Sequence, residues 1–179
     1  VDYTDRTTCI LFGDGASAVW VEAQAEKTIY GSLQGAEGDK GKELYLSTSG
    51  HPVNETEIIA NGFLHQDGRK VFRWAVGQIS KYAQQVICDA GLKPEDIDWF
   101  IPHSANMRII EALAKNVGIP VEKTLESVSV YGNTSSASIP LAMARGLDSG
   151  KLKKGDKVLA MGFGGGLSYA GIIFEWQGA

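Results

Sequence analysis

The sequence is poor in cysteine, in histidine and in unbroken apolar runs, and each scarcity excludes something. Two cysteines in 179 residues leave no disulfide framework, and the spacing of Cys9 and Cys88 matches no metal site. Both sit among apolar neighbours, which fits free thiols in the core of a protein of a reducing cytoplasm. No apolar run approaches the ~18 residues of a membrane span, and no signal peptide opens the chain. A formal net charge of -4 and a pI near 5.4 argue against general nucleic-acid binding, which needs a strongly basic face. What is present is a 44% hydrophobic complement, enough for the buried core of a single domain. The chain starts at Val1 and enters an apolar stretch almost at once, so a missing N-terminal portion is expected.

Thr7 to Phe12 reads as a buried strand, Gly13-Asp14-Gly15 as a turn, and Ala18 to Val21 as the returning strand of a hairpin. Residues 31–62 carry Gly, Ser, Thr and Asn and read as a strand followed by a long surface loop. Between Arg69 and Ala90 the apolar residues fall at 71, 72, 75, 76, 79, 83, 86 and 87, the spacing of one amphipathic helix ending at Gly91. Asp98 to Ile101 forms a short strand. A helix follows it, with Ile109, Ile110, Leu113, Ala114 and Val117 on one stripe and Gly118 as its stop. Residues 135–149 read as a further helix, capped by Thr134 or Ser135 and ended by Gly150, provided that Pro140 lies in its first turn. Lys157 to Met161 and Ser168 to Trp176 complete the strands. Strands alternating with helices indicate an α/β layered domain with a mixed sheet, whose ligands collect at the carboxyl ends of strands.

His103, at a strand end, and the glycine run 162–166 fall on that rim, and Asn133 follows a glycine. Taken singly, His103 fits a packed strand-terminal histidine, Asn133 a cap or turn residue, and the glycine run a hairpin. Together they describe another chemistry. A neutral imidazole N–H and a carboxamide NH₂ are fixed donors without buried charge, which is what a developing oxyanion needs. Nothing beside them looks like an activated nucleophile. Neither cysteine sits at a helix N-terminus or in a glycine-lined turn, the settings that activate a thiol.

Four stretches carry a resemblance: Arg6 to Ala16 (RTTCILFGDGA), His103 to Arg108 (HSANMR), Gly132 to Pro140 (GNTSSASIP) and Phe163 to Gly166 (FGGG). Together, and in this order, they are similar to β-ketoacyl-acyl-carrier-protein synthase III, a thiolase-like condensing enzyme. The resemblance spans about Asp5 to Trp176 but matches only the C-terminal half of that family's polypeptide. It implies one half of a duplicated, layered α/β fold with a mixed sheet and packed helices. The absent N-terminal half would hold the nucleophilic cysteine, so residues 1–179 alone are expected to be an inactive half-domain. The family is a cytoplasmic acyltransferase of fatty acid biosynthesis, a homodimer when intact, that needs no metal or cofactor. Its substrates are acyl-CoA and malonyl-acyl carrier protein (ACP), joined by a decarboxylative Claisen condensation.

Carried onto this sequence, the resemblance implies that His103 and Asn133 are catalytic and stabilise the malonyl enolate. Ser104, Ala105, Asn106, Met107 and Arg108 match the carrier-binding segment, and Arg73 and Lys115 extend its basic patch; Arg69 and Lys70 stand beside Arg73. Arg6, Phe12, Gly68, Phe72, Asn106 and Phe163 match positions along the CoA and pantetheine path. Two other readings stay open: a related chalcone-synthase-like condensing enzyme, and a truncated, non-catalytic interaction or structural domain. The preferred primer, acetyl or branched, is not legible.

Overall fold

The computed structural model describes residues 1–23, 25–53 and 55–178. Its centre is a four-stranded mixed sheet in the order β1-β6-β5-β4. β4 (Trp99–Pro102) runs parallel to β5 (Lys157–Gly164), β5 antiparallel to β6 (Ser168–Glu175), and β6 antiparallel to β1 (Ile29–Ala36). Val158 to Met161 of β5 are all buried, the pattern of a strand covered on both faces. Alternation sends Leu159, Met161 and Phe163 into one core with Trp74, Ile79, Ile109 and Leu113. Val158 faces the opposite way, toward Ile101, Leu125, Ala142, Met143 and Leu152. The sheet is therefore a middle layer between two groups of helices.

On one face lie α1 (Gly68–Trp74), a π turn (Ala75–Ile79) and α2 (Ser80–Asp89), beside α3 (Met107–Val117). The sequence predicts one uninterrupted helix over the first three. The π turn shifts its phase, which buries Trp74 and leaves Phe72 36% exposed. Beyond it Ser80, Ala83, Val86 and Ile87 face inward and Cys88 turns outward. Cys88 is thus exposed and Cys9 half-buried, which corrects the expectation of two core thiols. α3 buries the five residues of its predicted stripe and stops at Gly118, whose φ is +88°. The other face holds α5 (Ser138–Asp148), with Pro140 in its first turn. A 3-10 turn over Ser135–Ala137 precedes it, so its start falls later than expected and without a side-chain cap.

The predicted hairpin over residues 7–21 does not form. Thr7 to Leu11 coil back on Asp5, whose carboxylate accepts from Thr7 and Thr8 while its carbonyl accepts from the Cys9 amide. Only Phe12 makes a bridge, to Asn133. Trp20 and Val21 stand 85% and 83% exposed, because a two-stranded ribbon with no third strand or core beneath it is not stable. The chain exposes 10173 Å² in total, against about 8,400 Å² expected of a monomer of its mass. No helix among the described residues is long and apolar enough to cross a membrane.

Gly146 tests how tightly the second core is packed. Replacing a mid-helix glycine by alanine ordinarily stabilises a helix by about 0.5–1 kcal/mol. Here a Cβ would stand 2.6 Å from Leu125 Cδ1 and 3.2 Å from Leu152 Cβ, both buried. Overpacking costs about 1–3 kcal/mol and outweighs the helical gain. Gly146→Ala is therefore expected to lower Tm by a few degrees in thermal denaturation; a raised Tm would show that Leu125 yields freely.

Candidate active site

His103 reaches the rim of the sheet because β4 stops at Pro102. The His103 amide donates to the Met161 carbonyl at 2.7 Å, extending the parallel ladder by one rung. The backbone then turns, with the Ala105 amide on the His103 carbonyl at 2.8 Å, and Asn106 opens α3. Asn106 Oδ1 accepts from the Ile109 amide at 2.9 Å, an N-cap that also orients the rest of that side chain. The imidazole packs edge-on against Phe163, with ring centroids 5.2 Å apart and planes at 77°. Its Nδ1 lies 2.7 Å from Ser138 Oγ. Burial pushes the His103 pKa down to about 4, so the ring is neutral near pH 7.

Asn133 is delivered by a glycine and gripped through its backbone. Gly132 has φ +69°, a left-handed conformation that glycine adopts without penalty. The Asn133 amide donates to the Leu11 carbonyl at 2.8 Å, and its carbonyl accepts from the Gly13 amide at 3.0 Å. A Cβ at position 13 would stand 1.9 Å from the Tyr131 carbonyl oxygen, so only glycine permits this approach. The Asn133 side chain is buried, and its Oδ1 accepts from the Ser135 amide at 2.9 Å. That bond fixes which end of the carboxamide is oxygen and leaves the NH₂ as the free end.

Both side chains line one cavity of about 610 Å³. Phe12, Phe163 and the glycines 162, 164 and 165 share its wall, with Ser138 and Ile139 from the start of α5. Further wall comes from β2 (Leu44–Leu46) and β3 (Leu64–Gln66), a small antiparallel pair whose first strand falls where the sequence predicts a surface loop. Of the predicted residues, His103, Asn133, Phe12, Phe163, Ala105 and Asn106 are brought together here. Arg6, Gly68 and Phe72 do not line the cavity: Arg6 is exposed in the N-terminal turn, and the other two are exposed on α1. Cys9 and Cys88 are likewise outside its wall.

Met107, Arg108 and Lys115 are exposed on α3, and Arg73 is exposed on α1. The two helical elements are tied side by side by Gln84 Nε2 on the Asn116 carbonyl (2.8 Å) and Asn116 Nδ2 on the Val76 carbonyl (3.2 Å). Lys70 is engaged by Glu43 at 3.0 Å and Asp67 at 3.3 Å, so its charge is largely spent within the chain. Ser104 requires a correction. It is fully buried, and its Oγ accepts from the Ser127 amide at 3.1 Å, so it cannot meet a docking partner. Ser138 was not singled out from sequence; the one available signal was a hydroxyl between Ala137 and Ile139 at the start of an apolar helix stripe.

The depressed His103 pKa has a sign that can be tested. The unfolded chain holds the proton below about pH 6.5, the folded chain only below about pH 4. The unfolded state binds more protons between these values, so stability is full above the window and falls as pH drops through it. His103→Asn is expected to flatten the dependence of the urea midpoint on pH between about 6.5 and 4. An unchanged slope would mean that the ring is not desolvated.

Comparison with known proteins places this geometry. The family 3-oxoacyl-(acyl-carrier-protein (ACP)) synthase III C terminal matches residues 87–176, and 3-oxoacyl-(ACP) synthase III matches residues 1–38. The β-ketoacyl-(acyl-carrier-protein) synthase III 2 of Halalkalibacterium halodurans is 50% identical over 176 residues, covering 98% of this chain and 53% of the relative. That of Bacillus subtilis is 46% identical, with 98% and 54% covered. The chain thus spans about half the length of the curated relatives it matches. The crystal structure of the Thermus thermophilus synthase III superposes with a TM-score of 0.89 at 37% identity, covering 100% of this chain and 56% of that one. The Aquifex aeolicus enzyme gives 0.86 at 38%, with 96% and 52% covered. The mixed sheet with its packed helices is accordingly of the thiolase-like kind, and the chain belongs to the 3-oxoacyl-(acyl-carrier-protein) synthase III family.

Proposed function

We propose that this chain is the His- and Asn-bearing half of a β-ketoacyl-ACP synthase III, and that His103 and Asn133 form its oxyanion site. One observation carries the reading: two side chains from distant segments line the same cavity, and each has its other polar end already bonded to the protein. Asn133 keeps its NH₂ and His103 keeps Nε2 for a ligand. In the reaction, the carbon–carbon bond to the malonyl carboxylate breaks and carbon dioxide leaves. The electron pair passes into an enolate whose negative charge rests on the thioester oxygen. Neutral N–H donors aimed at that oxygen lower the barrier without the cost of burying a charge. The enolate carbon then attacks an acyl thioester; the new carbon–carbon bond forms as the acyl carbon–sulfur bond breaks and the thiolate leaves. Neither Cys9 nor Cys88 lies on the cavity wall, so we assign the acyl-bearing cysteine to residues outside this chain.

The surface complements the cavity. Acyl carrier protein is acidic, and Arg73, Arg108 and Lys115 offer exposed cations on adjacent helices. We assign Ala105, Asn106 and Met107 to the same approach, with Asn106, Phe12 and Phe163 meeting the pantetheine arm within the cavity. Arg6, Gly68 and Phe72 are assigned to the outer part of the CoA path. The surface in excess of a monomer's, with Ile10, Val19, Trp20 and Val21 exposed on it, is assigned to contact with the other half of the enzyme.

Removing one oxyanion donor typically costs about 10²–10³ in kcat. In the assembled synthase, Asn133→Ala is expected to lower malonyl-ACP decarboxylation by that factor while acyl transfer from acyl-CoA persists. Equal loss of both partial reactions would remove the oxyanion role. Arg108→Glu is expected to raise KM for malonyl-ACP and leave acyl transfer from acetyl-CoA intact, with the wild-type preference weakening as salt screens the contact. An unchanged KM would place the carrier elsewhere.

A further inference from the structure

We propose that Ser138 is a positioning residue that sets the tautomer of His103, keeping the ring proton on Nε2, the nitrogen facing the cavity. The use of that proton rests on the oxyanion reading above; the tautomer itself rests on counting protons around one hydroxyl. Ser138 Oγ has one hydrogen to give and two lone pairs to receive with. The Ser104 backbone N–H, which can only donate, approaches it at 3.2 Å and occupies one lone pair. His103 Nδ1 lies on it at 2.7 Å. Ser138 is fully buried, so its hydroxyl proton has no access to bulk water. Among the described residues, His103 Nδ1 is the one acceptor within its reach.

Two arrangements are then possible, and they differ by one orphaned proton. If Nδ1 carried the hydrogen, Ser138 Oγ would receive from two N–H groups while its own proton faced the core without an acceptor. Buried donors are rarely left in that state. If Ser138 donates to Nδ1, every group around the hydroxyl is matched, and the hydrogen of the neutral ring must sit on Nε2. Burial holds the His103 pKa down to about 4, so near pH 7 the ring is neutral and only one of its nitrogens carries the hydrogen. The amino-terminal end of α5 reinforces this, since its dipole opposes a cation beside Ser138.

The hydroxyl is held from two directions. Ser104 Oγ accepts from the Ser127 amide at 3.1 Å, and Ser127 Oγ donates to the Ser138 carbonyl at 3.0 Å. Ser104, Ser127 and Ser138 are each fully buried, so three hydroxyls join the end of β4, the segment before α4 (Val128–Tyr131) and the first turn of α5. The arrangement is a rigid mount for one imidazole.

The test reads the tautomer directly. In protein labelled with nitrogen-15 histidine, long-range proton–nitrogen correlation spectra at pH 7 are expected to show His103 protonated at Nε2, with the His103→Asn variant identifying its signals among the three histidines. Ser138→Ala should turn the single tautomer into a mixture, and Ser138→Thr, which restores a hydroxyl, should return it. A wild-type ring protonated at Nδ1, or a Ser138→Ala ring still wholly at Nε2, would overturn the proposal. The wild-type spectrum decides even if the alanine variant fails to fold. In the assembled synthase, Ser138→Ala should lower kcat for malonyl decarboxylation about tenfold or more, as mis-set tautomers do, with KM little changed. A mixed tautomer with unaltered decarboxylation would uphold the role of Ser138 and overturn the oxyanion reading instead.

Discussion

The pairing of β4 with β5 fixes where His103 and the residues that follow it can stand. Phe100 and Ile101 face opposite cores, and β5 is buried along both faces, so neither strand can slide by one residue without exposing its apolar set. The ladder runs one step past the strand, through the His103 amide on the Met161 carbonyl at 2.7 Å. That last rung places the imidazole at the carboxyl rim with its backbone already committed. The next residues are equally constrained, since Asn106 caps α3 and Ser104 is locked beneath Ser127. A register chosen by hydrophobic burial thus sets where a polar ring stands.

The polar groups of the cavity share one property, which is neutrality. His103 is held uncharged by burial, Asn133 cannot ionise, and the serines at positions 135, 136 and 138 contribute hydroxyls or amides only. In the reaction proposed above, a cation here would bind the charged form of a malonyl group before reaction as strongly as the enolate after it. Such uniform binding does nothing for the chemical step. Neutral donors discriminate better because their interaction grows as charge develops on the oxygen they face. The charged groups are kept outside the cavity. Glu37 illustrates this: its carboxylate is occupied by Lys40, by Trp74 Nε1 at 2.9 Å and by the Tyr82 hydroxyl at 3.2 Å. Its backbone amide donates to the Leu167 carbonyl at 2.7 Å, so the same residue anchors the glycine-rich turn beside the site.

Elements whose partners lie nearby in the chain were legible, and those that depend on remote packing were not. α3 reads directly from sequence, because its stripe, its asparagine cap and its glycine stop are all local signals. β5 reads as a strand from its continuous apolar run, the mark of burial on both faces, and β6 from a period of two. The helix over residues 68–89 was legible in extent but not in phase. A π turn leaves no compositional mark, so the predicted stripe includes Phe72, which is exposed, and omits Trp74, which is buried. Residues 7–21 misled for a different reason: their β propensity reports a preference for a half-buried pleated surface, and this chain supplies none beneath them. Within the site, the motifs around His103 and Asn133 singled out two side chains, whereas Ser138 is distinguished only by who donates to whom.

Asn133 links the catalytic geometry to that unpaired segment. Its backbone is bonded on one side to Leu11 and on the other to Gly13, and those residues belong to the stretch that exposes Ile10, Val19, Trp20 and Val21. The imidazole, by contrast, is mounted on β4, β5 and α5. His103 is therefore anchored among buried residues, whereas the backbone of Asn133 is anchored to a segment with exposed apolar side chains. A structure that covered those apolar side chains would hold Leu11 to Gly13 in place and, through two backbone hydrogen bonds, hold Asn133 with them.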